Sequence, residues 1–161
     1  MPSKYLFLDY DGVLHPYSFS SVGDPMTLHW PDQSISLFCW APILERLLLN
    51  EVDPESRVKI VLSTTWQQRI GWRAAAKHLP LALQKRVVGG VYKYGLSRGA
   101  EIAMHAMDYK IDDDSWIAVD DDSWMWPKEH LSRFIKTDPR VGLSSEQLQQ
   151  ELREKLEGLL K

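Results

Sequence analysis

The sequence predicts an α/β protein built as three layers, a parallel sheet between two layers of helices. Three observations carry this. Short, almost wholly apolar runs such as KYLFLD and RVKIVLS are the pattern of parallel strands buried on both faces. Segments with helical spacing lie between them, and alternating strands and helices give parallel sheets. The runs end in polar residues, Asp9, Ser63 and Asp120, and such sheets bind ligands beyond the carboxyl ends of their strands.

Lys4 to Asp9 is the first strand. Gly12 to Pro31, rich in Gly, Pro, Ser and aromatics, reads as a loop or flap. Leu37 to Asn50 places Ile43, Leu44, Leu47 and Leu48 at helical spacing, with Pro42 near the first turn. Arg57 to Ser63 is the second strand, with β-branched Val58, Ile60 and Val61. Gln67 to His78 reads as a helix stopped by Pro80. Val87 to Tyr92 is a short strand interrupted by glycine, and Arg98 to Tyr109 a helix with Ile102, Ala103 and Ala106 on one side. Trp116 to Asp120 and Phe134 to Thr137 complete the strands. Ser144 and Gln147 have capping-box spacing before a stripe of Leu148, Leu152, Leu156 and Leu159, which predicts a helix over 144–160.

Composition sets the bounds. The chain has 161 residues, enough for one domain with one core. Net charge is -3, from 19 basic and 22 acidic residues, which excludes a strongly basic nucleic-acid coat but not a local basic patch. The single cysteine, Cys39, excludes an internal disulfide and a multi-cysteine zinc site. No apolar run approaches a membrane span, and Met1 to Tyr10 does not read as a signal peptide. The expectation is a cytoplasmic protein without a membrane partner.

The chemistry concentrates at the strand ends. Asp9 and Asp11 stand two apart, so both side chains can face one site while Tyr10 points away, and Gly12 permits a sharp turn. Carboxylates so close favour a bound cation, or a proton kept on one of them. Asp120-Asp121-Asp122 closes another strand. Together these make a hard-oxygen site suited to Mg²⁺. Ser63-Thr64-Thr65 offers hydroxyls and N–H groups to phosphate, or caps the next helix. Arg98 opens a helix aimed at the same edge. Asp112, Asp113 and Asp114 precede their strand and belong to its opposite end.

Other motifs fail. An EF-hand counted from Asp112 would need glutamate where Ser123 stands. The Gly90 and Gly95 spacing lacks the P-loop lysine. The five histidines show no metal spacing, and His15, though just after the turn, reads as structural. Among seven tryptophans, Trp30, Trp66, Trp124 and Trp126 fall in loops bordering the site, where they could stack a base or simply pack; Trp40, Trp72 and Trp116 read as core or helix-surface residues.

The ordered set FLDYDGVLHP, IVLSTTW, SRGAEI and WIAVDDD resembles the four motifs of the haloacid dehalogenase-like (HAD) superfamily, and in detail its small bacterial domains, some of them linked to RNA repair proteins. The resemblance implies a Rossmann-like core, one domain over 1–161, and a short flap at about 12–35 in place of a cap. It implies a phosphatase: Asp9 as nucleophile forming an aspartyl-phosphate, Asp11 as general acid and then base, and Ser63, Thr64 and Arg98 binding phosphate. Lys93 is the alternative to Arg98, since the family's third motif usually holds lysine. Mg²⁺ would be held by Asp9, the Asp11 carbonyl, and Asp120 or Asp121. An uncapped site suits a large phosphomonoester substrate: a nucleic-acid end, a nucleotide or a phosphoprotein. A phosphate-sensing or partner-binding module with little turnover is the rival reading. A phospho-receiver domain is disfavoured, because its aspartate ends a middle strand that here ends in Ser63.

Overall fold

The computed structural model describes residues 2–17 and 35–161. Most of the expected flap, with His29 and Trp30, lies outside the described residues. Five strands form one parallel sheet: β1 (Lys4–Leu8), β2 (Val58–Leu62), β3 (Val87–Gly90), β4 (Trp116–Asp120) and β5 (Phe134–Lys136). Their order is β3-β2-β1-β4-β5. Leu8 pairs with Leu62 on one side and with Val119 on the other. This register brings Asp9, Ser63 and Asp120 to one edge.

One face of the sheet is covered by most of the helices. Here α1 (Ala41–Glu45), α3 (Trp72–Ala76), α4 (Leu81–Gln84) and α6 (Glu146–Leu159) pack on Leu6, Leu8, Ile60, Leu62 and Val119. The opposite face carries Phe7, Val61, Trp116 and Ala118, which meet Ile102 and Ala106 of α5 (Arg98–Asp108) and the stacked pair Trp126 and Phe134. Over β1 and β4 both faces are apolar and packed upon, which is why those strands read as continuous apolar runs.

Several elements differ from the sequence expectation. The helix expected over 37–50 begins only at Ala41 and continues as a π-helical stretch, Arg46–Val52, which buries Leu47 and Leu48. The helix expected over 67–78 is split at Gly71, whose φ of 84° interrupts it between α2 (Thr65–Ile70) and α3. The capping box expected at Ser144 and Gln147 is absent there. Ser144 ends a 3₁₀ turn, and Ser145 caps α6 by accepting from the Leu148 N–H. The reciprocal box forms instead at Thr64 and Gln67.

Buried Asp53 fixes the sheet's other end. Its carboxylate accepts from the Arg57 and Val58 N–H groups and from Arg86, tying the starts of β2 and β3. Burial would raise its pKa, but these donors hold it below the ordinary value. Asp112 to Asp114 precede β4, away from the carboxyl edge, as expected.

Candidate active site

Asp9 follows β1 and is buried. Its carboxylate lies with those of Asp120 and Asp121, one oxygen of each within 4.8 Å of the others. Gly12 makes this approach possible. Its φ is +75°, and a Cβ there would stand 2.5 Å from an Asp121 oxygen. Thr137, just past β5, pins the same turn, donating its hydroxyl to the Gly12 carbonyl at 2.7 Å.

Arg98, the first residue of α5, reaches this group. One terminal nitrogen is 3.3 Å from Asp120 and 3.5 Å from Asp9. The backbone there needs Gly99, where a Cβ would fall 2.6 Å from the Trp126 ring. Lys93, the alternative for this role, is exposed and lines a groove beside β3.

The electrostatics follow from burial and crowding. Burial, and then the charge of Asp120, push Asp9 well above the usual carboxylate range. Burial lifts Asp120 to about 7 and raises Asp121 as well. Burial pulls Arg98 down, yet the charges of Asp120 and Asp9 outweigh it and keep the guanidinium charged. Among the described residues, three carboxylates thus face a single guanidinium. The excess negative charge and the hard oxygen donors fit a divalent cation such as Mg²⁺.

Ser63 follows β2, with its N–H bonded to the Leu8 carbonyl at 2.9 Å. Its buried hydroxyl has no hydrogen-bond partner among the described residues. An orphan of this kind is rare in a native fold and suits a ligand oxygen. Thr64 is differently used. Its N–H goes to Gln67 Oε1 and its hydroxyl oxygen takes the Trp66 N–H, so only its hydroxyl hydrogen is left to offer.

Asp11 is held apart from the acidic cluster. Its Oδ1 accepts from the Trp66 indole at 3.1 Å and lies 2.8 Å from His15 Nε2. The Phe38 N–H donates to His15 Nδ1, so the imidazole carries its proton on Nε2 and donates it to Asp11. Among the described residues, Oδ2 has only the longer indole contact, 3.3 Å. Tyr10 points the other way, as expected, and bonds the Ala75 carbonyl. Sequence reasoning left His15 out of the site and gave Trp66 no bonding role. The signal was present in DGVLHP, whose histidine follows Asp11 by one tight turn, but the Trp66 contact spans 55 positions.

Trp124 is exposed; Trp126 packs on Phe134 and α5. Trp40 and Trp116 are core, and Trp72 is half-buried.

A five-stranded parallel sheet in this order, with acids from two strand ends converging at its carboxyl edge, defines an α/β domain of HAD type. The family model described as "HAD domain in Swiss Army Knife RNA repair proteins" matches residues 5–148, and the chain belongs to that family. It is therefore a HAD-type, phosphatase-like domain. Comparison with curated proteins gave no match, and neither did comparison with solved structures.

Proposed function

We propose that the chain is a Mg²⁺-dependent phosphohydrolase of phosphomonoesters that works through an aspartyl-phosphate on Asp9. The observation that supports this best is the grouping of Asp9 with Asp120, Asp121 and Arg98, at the edge where the orphan hydroxyl of Ser63 lies. Bound by Asp9, the Asp11 carbonyl, and Asp120 or Asp121, Mg²⁺ would supply positive charge that keeps Asp9 ionised and offsets the phosphate.

The remaining chemistry belongs to the chain. Ser63 and Arg98 take phosphate oxygens, the arginine by a charge that burial makes strong. An Asp9 oxygen attacks phosphorus, forming a new O–P bond while the bond to the leaving oxygen breaks. The proton for that oxygen comes from Asp11, whose Oδ2 is the less committed of its two oxygens. In the second step the Asp11 carboxylate takes a proton from water. The water oxygen bonds to phosphorus, Asp9 is released, and inorganic phosphate leaves. Trp66 and His15 hold Asp11 in one orientation through both steps.

The relatives' description as RNA repair proteins favours a nucleic-acid end over a nucleotide or a phosphoprotein as substrate. The test is hydrolysis of an aryl phosphate by the purified chain with Mg²⁺. Activity is expected to vanish in EDTA and in Asp9→Asn, which keeps the size but loses the nucleophilic charge. Activity that survives both would refute the proposal.

A further inference from the structure

Parallel sheets are almost always covered on both faces. In this one, α5 and the Trp126–Phe134 pair cover the second face over β1, β4 and β5. Over β3 and the start of β2 the described residues leave the same face uncovered, and Val88 there is exposed. The opening is a groove of about 800 Å³ between α5 and the α2–α3 segment.

Its lining is unlike the rest of the chain. Among the described residues, sixteen line it; two are lysines, Lys59 and Lys93, four are tyrosine or tryptophan, and none is acidic. The chain as a whole has more acids than bases. The acids of α5 near the groove are engaged, Glu101 by Gln68 and Asp108 by the Tyr94 hydroxyl. Lys59 stands near the start of β2, where a covered parallel strand would carry an apolar residue, so an apolar cover would bury its ammonium unpaired. Tyr92 and Tyr109 are each 70% exposed. Trp72 is set at the wall by Gly90, where a Cβ would lie 2.9 Å from Trp72 Cβ. Arg73 stacks on the Trp72 ring at 4.3 Å and adds a third cation beside it.

The groove shares the sheet's carboxyl edge with the site. Its upper end, at Tyr92 and Lys93, follows β3 at the carboxyl edge. Gln67 joins the two, accepting from the Thr64 N–H and donating to the Val91 carbonyl. Its lower end reaches Tyr109 and Ile111, past the far end of α5. Its volume of about 800 Å³ lies in the upper part of the roughly 300–1,000 Å³ range of small-ligand pockets, room for more than one nucleotide.

We propose that this groove binds the single strand of nucleic acid adjoining the phosphorylated end, with bases stacked on Tyr92, Trp72 and Tyr109 and backbone phosphates on Lys59 and Lys93. Rings on a cationic track suit a single strand, whose bases expose their faces. The link to Asp9 rests on the phosphohydrolase reading; strand binding does not.

The experiment therefore measures binding apart from hydrolysis. Fluorescence anisotropy of a labelled oligouridylate without terminal phosphate is followed with the full chain at several salt concentrations. Affinity is expected to rise with length from one to about four nucleotides and to fall with salt. Tyr92→Ala and Tyr109→Ala are each expected to weaken binding roughly 10-fold. Lys59→Gln with Lys93→Gln should flatten the log–log salt slope by about 1.4, two contacts at about 0.7 each. For an oligonucleotide carrying a terminal phosphate, the ratio of its kcat/KM to that of an aryl phosphate should drop in the same variants. Equal affinity for a mononucleotide, or binding indifferent to all four substitutions, would overturn the proposal. Inactivity on every phosphate ester with normal oligouridylate binding would instead count against the phosphohydrolase reading and leave the groove assigned.

Discussion

Trp66→Phe isolates the indole that holds Asp11. The replacement keeps an aromatic ring among Tyr10, Phe38 and His78, whose rings lie 5.9, 5.3 and 4.9 Å from that of Trp66. It removes an N–H that reaches both Asp11 oxygens. A hydrogen bond to a charged group contributes about 1.5–3 kcal/mol. His15 still holds Oδ1, so the low end applies, and about 1.5 kcal/mol is roughly a tenfold loss of rate. That loss should appear where Asp11 must deliver a proton. The assay compares kcat on an alkyl phosphate, whose alkoxide needs the proton, with kcat on an aryl phosphate, whose oxide leaves almost unaided. The alkyl substrate should lose about tenfold more than the aryl one, well inside the roughly 10²–10⁴-fold that general acid catalysis contributes. In an Asp11→Asn background the same substitution should cost nothing further on the alkyl substrate. Equal losses on both substrates, or full additivity with Asp11→Asn, would refute the positioning role and leave Trp66 a packing residue.

Two further outcomes follow from the carboxylate cluster. Asp120, lifted to about 7 by burial, with Asp9 and Asp121 also raised, keeps protons in the fold that the unfolded chain loses near pH 4. Their contribution to stability is therefore full below pH 4 and is lost as pH rises toward 7 and beyond. The rise in Tm that Mg²⁺ gives should grow between pH 5.5 and 8; a rise equal at both, by differential scanning fluorimetry, contradicts the cluster's role as cation ligand. Arg98→Ala should lower kcat on an aryl phosphate about 10²–10³-fold, the cost of removing a charge aimed at the transferring group. Arg98→Lys should recover part of it, and steady-state kinetics in which Arg98→Ala is silent would remove Arg98 from the site.

The parts of this account readable in the sequence are those that local pattern controls. Apolar runs ending in Asp9, Ser63 and Asp120 mark strands, and parallel pairing sends all such ends to one edge, so the acids could be brought together without coordinates. Gly12 was readable for the same reason, although its contact with Asp121 was not. What escaped depends on contacts distant in sequence. The Trp66 indole reaches Asp11 only because α2 begins beside β1. Gly71 breaks a helix whose apolar periodicity runs through it, and Gly90 admits Gln67 and Trp72, one from each side of the break, close to β3. The spacing rule for a capping box fits both Ser144–Gln147 and Thr64–Gln67. A 3₁₀ turn over Gly142–Ser144 moves the first cap to Ser145. The uncovered face over β3 and the start of β2 had a faint signal in Lys59, a charge inside an otherwise apolar strand.

The central claim is that Asp9 carries the phosphoryl group, and trapping that adduct tests it most directly. Asp11→Asn removes the base for the second step, so a covalent intermediate should accumulate when this variant is mixed with an aryl phosphate and Mg²⁺ and quenched in acid. Reduction with borohydride followed by peptide mass spectrometry should then convert Asp9, and no other aspartate, to homoserine. A label at another residue, or steady turnover by the unmodified chain with no adduct formed in either protein, would contradict the account.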